Sequence, residues 1–263
     1  GVVFGRVALG SITLLIVAKY RGIPLPKGKV TWFQLWIVSM LLNVLPGYLF
    51  ALAEVHVTSV LAGIINACTP FATLIFILLL SKDEKLKNYQ IFGLITGAIG
   101  VAIVLGVWNG FGSNPILSII ALFGAISCYG LSYPFIRRFL TPKKLQPESL
   151  AAAQLTTGAV TLFPFFIYHG ITSFNPSIKA ILGMLALGIF GSGIAYIWNF
   201  RIVEVAGSAV ASSVTYLTPV VAVVVGWLFL GENLSWKEPL GAIVVVFGAA
   251  LAQGRFKKIK EKA

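Results

Sequence analysis

The stretch Val60–Pro70 reads VLAGIINACTP, and a similar pattern returns at Ala209–Pro219 as AVASSVTYLTP. In both stretches an apolar run with small polar residues ends in Thr-Pro, and Thr69 and Thr218 lie 149 positions apart. An offset of 148 relates further glycines, namely Gly93, Gly100 and Gly106 to Gly241, Gly248 and Gly254, and Gly10 to Gly158. Self-similarity at a fixed offset indicates an internal duplication.

The duplicated stretches belong to apolar segments that recur along the whole chain. Each segment is long enough to cross about 30 Å of hydrocarbon. Nine are predicted, at 1–19, 31–53, 57–80, 89–108, 115–138, 149–168, 178–199, 207–230 and 238–253. Of the 263 residues 58% are hydrophobic and 11% are charged, against about 25% charged in soluble domains. Because barrel strands would alternate with a period of two, the sequence predicts an all-α polytopic membrane protein with the lipid bilayer as its solvent.

The basic residues predict the orientation in the membrane. If successive loops lie on alternate sides, 17 of the 20 lysines and arginines fall on one side, and only Lys179 and Lys237 on the other. Basic loops stay cytoplasmic, so we expect Gly1 outside and the basic tail 255–263 in the cytoplasm. The net charge of +12 therefore indicates topology, and nucleic-acid binding is not expected.

The repeat also predicts an architecture. The second copy, 115–254, contains five segments, whereas the first copy, 1–108, shows four, and a helix upstream of Gly1 would complete it. An odd number of helices inverts the second copy relative to the first. Inverted repeats place a site near mid-membrane and allow alternating access, which favours a transporter.

These features resemble the EamA-type family of the drug/metabolite transporter superfamily. The resemblance rests on a proline within a helix, on Glu84 or Glu232 in the following loop, on the spaced glycines, and on Gly5-Arg6 in the first segment. It covers nearly the whole chain. It implies ten helices, cytoplasmic termini and export or uptake of small metabolites such as amino acids across the plasma or inner membrane.

Two prolines suggest where a substrate would bind. Pro70 and Pro219 interrupt helical hydrogen bonding and leave the carbonyls of Asn66 and Thr215 without their usual donors. The polar faces beside them are expected to line a cavity, with Asn66, Thr69, Thr215 and Thr218 as substrate ligands. Alternatively, these hydroxyls hold helices together and the prolines are merely kinks.

Further candidate ligands lie in the neighbouring helices. Tyr196 and Asn199 share a helical face, and Asn43 precedes Pro46. Arg6 is the one basic residue within a span; it faces either a cavity, where it could attract a carboxylate, or the outer surface. Glu54 and Glu204, both at segment ends, are the candidates if transport is coupled to protons.

The remaining motifs exclude other classes of function. The two cysteines and two histidines have no metal-ligand spacing, and no catalytic motif occurs. No enzyme activity, metal or cofactor is expected. The predicted partner is a small neutral or zwitterionic solute, and the protein is expected to act as a monomer or homodimer. Phosphorylated or nucleotide-sugar substrates are the alternative, although they would require several cavity-facing cations. A channel is a further alternative to the transporter function.

Overall fold

The computed structural model describes residues 1–57, 59–80, 87–105, 108, 115–169, 177–218, 221 and 236–252. Within these ranges the chain is helical, and no strand occurs in them. The first half contains α1 (Val2–Tyr20), α2 (Lys29–Ser39), α3 (Leu45–Ala53), α4 (Ser59–Asn66), α5 (Thr69–Leu80) and α6 (Asn88–Leu105). The second contains α7 (Ile116–Phe135), α8 (Pro147–His169), α9 (Ile178–Ala186), α10 (Ala195–Ala206), α11 (Ser208–Ser213) and α12 (Lys237–Ala252).

Shorter segments of other helical geometry join several of these helices. Three are π-helical (Met40–Val44, Ile136–Leu140 and Leu187–Ile194), and two are 3₁₀ turns (Thr141–Lys143 and Val214–Tyr216). A π segment widens a helix without ending it. Continuous spans therefore run through all three π segments, at Lys29–Ala53, Ile116–Lys143 and Ile178–Ala206.

The prediction of a polytopic α-helical membrane protein is confirmed. In the described ranges, five helical spans have the length and composition to cross a membrane: Val2–Tyr20, Lys29–Ala53, Ile116–Lys143, Pro147–Tyr168 and Ile178–Ala206. Shorter apolar helices cover Thr69–Leu80, Asn88–Ile103 and Pro239–Ala252. Large apolar side chains lie exposed on the outside of these helices, such as Leu78 at 73% and Ile178 at 77%, where lipid would cover them.

The sequence predicts the segment 57–80 as one span in which Pro70 interrupts the helical hydrogen bonding. The chain forms two helices, because α4 ends at Asn66 and α5 begins at Thr69. Pro70 is thus the second residue of a new helix, where its missing N–H group removes no hydrogen bond. In the second copy, α11 is followed by the 3₁₀ turn Val214–Tyr216 at the equivalent place. Pro219 lies outside the described residues.

The chain forms two compact units, and each draws helices from both copies of the predicted repeat. The first unit comprises Gly1–Gly47 and Phe135–Val205, and the second comprises Tyr48–Pro134 and Ala206–Ala263. The division falls within the helical spans rather than between the two copies.

Packing inside the first unit contains equivalent contacts made by the two copies. A Cβ on Gly10 of α1 would lie 3.0 Å from Leu155 of α8 and 3.1 Å from the Gly188 carbonyl. A Cβ on Gly158 of α8 would lie 3.2 Å from Val7 of α1. The offset of 148 relates Gly10 to Gly158 and Val7 to Leu155, so the contact is the same when the copies are exchanged. Such a self-complementary contact is the mark of a two-fold relation.

In the second unit α6 packs against α12. Here too, the contact stays the same when the two copies of the repeat are exchanged. A Cβ on Gly93 would lie 2.7 Å from the Gly248 carbonyl, and one on Gly100 would lie 3.0 Å from the Gly241 carbonyl. The offset of 148 converts one contact into the other. Since each glycine faces backbone, the spaced glycines of the sequence permit the two helices to approach closely.

Candidate functional site

The first unit gathers three of the predicted ligands: Arg6 of α1, Asn43 of the π segment Met40–Val44, and Tyr196 of α10. The Tyr196 hydroxyl lies 2.7 Å from Asn43 Oδ1 and 3.3 Å from the Leu42 carbonyl oxygen, and donates toward both. Arg6 lies close enough to Tyr196 to interact electrostatically with its hydroxyl. The sequence predicted each residue as a ligand, whereas the structure shows them as one cluster.

Pro46 explains why a tyrosine hydroxyl is needed at this point. Proline has no N–H group, so Pro46 cannot donate to a carbonyl of the preceding turn, which includes the Leu42 carbonyl. The π segment displaces this part of the backbone, and Tyr196 approaches the same carbonyl from α10. Asn43 and Tyr196 are therefore fixed by a defect in the helix that the sequence itself creates.

Arg6 points toward this cluster because of the side of α1 on which it lies. Val3, one turn earlier, packs against Gly47, since a Cβ on that glycine would lie 2.9 Å from a Val3 methyl group. Gly47 in turn lies one turn after Asn43. Residues three and four apart share a helical face, so Arg6 and Asn43 belong to the facing sides of their helices.

Polar atoms of this cluster remain without a hydrogen-bond partner. They are Arg6 Nε and Asn43 Nδ2, both buried. Asn43 is only 4% exposed. Burying a polar group unpaired costs on the order of 1–3 kcal/mol, so donors left in this state are candidates for binding a ligand.

Gln154 of α8 is a second buried polar residue in the first unit, at the position equivalent to Arg6. It has no exposed surface, and both its amide nitrogen and its amide oxygen lack partners. The Ser39 and Ser192 hydroxyls are also buried without partners. Two residues further along α8, Thr156 shares a hydrogen bond of 2.8 Å with Ser11 of α1. The offset of 148 makes Gln154 the counterpart of Arg6, and that equivalence is the signal in the sequence that could identify it.

In the second unit the first-copy residues Asn66 and Thr69 lie at the break between α4 and α5. The Thr69 hydroxyl donates to the Asn66 carbonyl oxygen at 2.6 Å. The carbonyl expected to lack a donor thus receives one from a side chain. One turn later, Thr73 donates to the Thr69 carbonyl at 3.0 Å. Thr69 and Thr73 have no exposed surface, and Asn66 is half-buried.

The second-copy residues Thr215 and Thr218 follow α11 in the same unit. The Thr215 hydroxyl donates to the Ser212 carbonyl at 2.8 Å, and Thr218 is exposed. Since α11 packs against α5, the serine-rich helix of one copy meets the threonine-bearing helix of the other. The hydroxyls of Ser212 and Ser213 also bond to carbonyls of their own helix, as buried serine and threonine side chains in membrane helices do.

Tyr216 makes a contact with α6 that the sequence did not predict. It is completely buried, and its hydroxyl donates to the Leu94 carbonyl of α6 at 2.9 Å. A Cβ on Gly97 would lie 2.5 Å from the Tyr216 ring, so the glycine provides the space for it. The equivalent residue of the first copy is Ala67, and the two copies differ here.

The remaining predicted positions lie away from these groups. Asn199 is half-buried one turn after Tyr196, whereas Trp198 is 66% exposed, as a residue facing lipid would be. Glu204 pairs with Arg201 at 3.0 Å, and Arg137 donates to the carbonyls of Val203 and Glu204. Glu54 is exposed. In the parts of the chain that the structure describes, no group of His, Cys, Asp or Glu could hold a metal ion.

Comparisons with known proteins give one matching family, several relatives and a solved structure of similar fold. The EamA-like transporter family matches residues 1–106 and 116–253. The uncharacterized transporter YvbV of Bacillus subtilis is 25% identical over 98% of this chain and 83% of its own length. The uncharacterized inner membrane transporter YedA of Escherichia coli K12 is 29% identical over 94% of this chain and 78% of its own. One crystal structure matches with a TM-score of 0.81 at 20% identity, covering 95% of this chain and 87% of that one, which shows a shared fold.

Proposed function

The chain belongs to the EamA-like transporter family, and from this premise we propose that it is a secondary carrier of small metabolites. Its relatives are named as transporters, one of them of the inner membrane. The protein is a membrane protein with several spanning helices. Family membership and the spanning helices together support movement of a solute across the bilayer.

The carrier works by alternating access between the two copies of the repeat. The observation that supports this most strongly is the exchange of equivalent contacts. In one unit Gly10–Leu155 corresponds to Gly158–Val7, and in the other Gly93–Gly248 corresponds to Gly100–Gly241. In an inverted repeat the two copies can adopt two conformations of opposite tilt, each opening a central site to one side of the membrane. Because each contact stays the same when the two copies are exchanged, both conformations can use the same packing contacts.

The solute is a neutral or zwitterionic metabolite, with amino acids as the favoured class. A phosphorylated substrate would need several cations in the spans, whereas Arg6 is the basic residue that the sequence places there. A channel would need charged rings or a carbonyl filter, and neither is evident in the sequence. Asn66, Thr69, Thr215, Thr218, Tyr196, Asn199, Asn43 and Arg6 are the proposed ligands.

The protein lies in the plasma or inner membrane with its basic tail in the cytoplasm, as the distribution of lysine and arginine favours. It acts as a monomer or homodimer, because the internal duplication supplies both halves of the pathway within one chain.

Counterflow tests this function. The full-length protein is reconstituted in liposomes loaded with unlabelled amino acids, and uptake of the labelled compounds is measured for the wild type and for Asn66→Ala and Thr215→Ala. Thr96→Ala is the matched control, since its hydroxyl also bonds to a carbonyl of its own helix but lies on the exposed side of α6.

Saturable uptake that Asn66→Ala and Thr215→Ala weaken and Thr96→Ala does not would support the carrier and its site. Equal uptake by all variants would remove these residues from the site. Absence of counterflow for every amino acid would remove amino acids as the favoured class.

A further inference from the structure

We propose that Arg6, Asn43 and Tyr196 form a clamp that binds the carboxylate of the transported solute. The inference rests on the proposed function and adds the chemical group recognised and the residues that recognise it. Its basis is one cluster inside the first unit, where a guanidinium, an amide and a phenol meet between α1, the π segment Met40–Val44 and α10.

The cluster has donors but lacks an anion. Arg6 Nε and Asn43 Nδ2 are buried and unpaired, and both are N–H donors. Tyr196 bonds to Asn43 Oδ1, which fixes the amide so that its nitrogen points away from the tyrosine. A ligand that satisfies both nitrogen atoms must be an acceptor.

The charge of Arg6 requires the same kind of ligand. In the described ranges the ion pairs are Arg21 with Glu148 and Arg201 with Glu204, and neither involves Arg6. A cation within a membrane span is costly unless it is paired. The ligand that stabilises it should therefore carry a negative charge.

The geometry of a guanidinium favours a carboxylate over other anions. A guanidinium presents a planar fork of N–H groups that matches the two oxygens of one carboxylate. A single arginine balances one negative charge, whereas a phosphate would leave charge uncompensated. The amide of Asn43 can then donate to one of the same oxygens.

The experiment compares amino acids with their carboxamides, in which an uncharged amide group replaces the carboxylate. Binding of L-leucine, L-phenylalanine and L-threonine, each alongside its carboxamide, is measured by calorimetry on the full-length protein in detergent. The variants are Arg6→Gln, Arg6→Lys and, as a matched control just after the same helix, Arg21→Gln, whose side chain is 68% exposed. Counterflow of the same compounds in liposomes is measured in parallel.

We expect the wild type to bind at least one acid about tenfold or more tightly than its amide, because charge-assisted hydrogen bonds are lost with the carboxylate. Arg6→Gln should reduce this preference to near unity. Arg6→Lys should retain part of it, since the charge remains but the fork is lost, and Arg21→Gln should retain all of it.

Equal binding of acids and amides by the wild type would overturn the clamp, as would a preference that survives Arg6→Gln or the failure of every acid to bind at millimolar concentration. The two proposals fail separately. Counterflow without acid preference would leave the carrier standing and remove the clamp, whereas acid-selective binding without counterflow would support the clamp and count against transport.

Discussion

Tyr196 lies on α10 but donates its hydroxyl hydrogen bonds to groups on a different helical span. Its hydroxyl donates to Asn43 Oδ1 and to the Leu42 carbonyl, in the turn before Pro46, which has no N–H group to offer. The proline, the asparagine and the tyrosine are each visible in the sequence. Their association over about 150 positions is not, because nothing in local spacing indicates which helices will pack together.

Replacing Tyr196 with phenylalanine should destabilise the protein by about 1 kcal/mol, because two acceptors lose their shared donor while the ring remains. Thermal unfolding in detergent would measure this. Tyr20→Phe, at a position 88% exposed, is the control and should leave the melting temperature unchanged. An unchanged melting temperature for Tyr196→Phe as well would show that the bond contributes nothing to stability.

Thr69 has a comparable role at the break between α4 and α5. Thr69→Val keeps the shape of the side chain but removes the donor to the Asn66 carbonyl, so we expect a loss of about 1 kcal/mol in unfolding free energy. Thr13→Val is the matched control, since the Thr13 hydroxyl bonds to the Leu9 carbonyl inside the unbroken helix α1. Equal melting temperatures for the two variants would contradict the proposed role of Thr69.

At the scale of the element, glycine spacing determines how closely helices approach. The prediction of a helical repeat needed only the recurrence of glycine in the sequence. The contact surface was not predictable, because the offset shows which glycines are equivalent and not which residues they face. Gly93 faces Gly248, the counterpart of Gly100 rather than its own.

Gly248→Ala should separate α6 from α12. Its Cβ would overlap the Gly97 backbone nitrogen, and backbone cannot move aside as a side chain can, so we expect a loss of roughly 1–3 kcal/mol. Gly183→Ala is the control, since nothing lies within 4 Å of its Cβ. A Gly248→Ala variant that proves as stable to heat as Gly183→Ala would contradict this packing.

At the break between Asn66 and Thr69, hydropathy and the position of the proline do not predict how the helix is interrupted. An apolar run of 24 residues, 57–80, predicts one span, and a proline within it predicts an interruption of the helical hydrogen bonding without giving its form. The chain instead starts a new helix, because the Thr69 side chain can take over the donor role at the Asn66 carbonyl. Whether a proline bends a helix or begins one depends on such local substitutes.

At the scale of the whole molecule, the distribution of basic residues predicts the orientation. A reporter that is active only in the cytoplasm, fused after Ala263, should be active, and the same reporter inserted between residues 170 and 176 should be inactive. The physical reason is the retention of basic loops on the cytoplasmic side. The opposite pattern of activities would reverse the proposed orientation and with it the direction in which the site opens.

The sequence by itself determined the class of this protein. Its hydropathy requires helices in lipid, its offset of 148 and 149 positions requires a duplication, and its first Thr-Pro pair marks a place where helices break. These conclusions follow from composition and periodicity, which act along the chain. Only the tertiary structure decided that each compact unit mixes both copies, that Tyr196 meets Asn43, and that Arg6 faces them. Such pairings depend on which surfaces bury each other best, and that energy is a property of the packed helices and not of any segment alone.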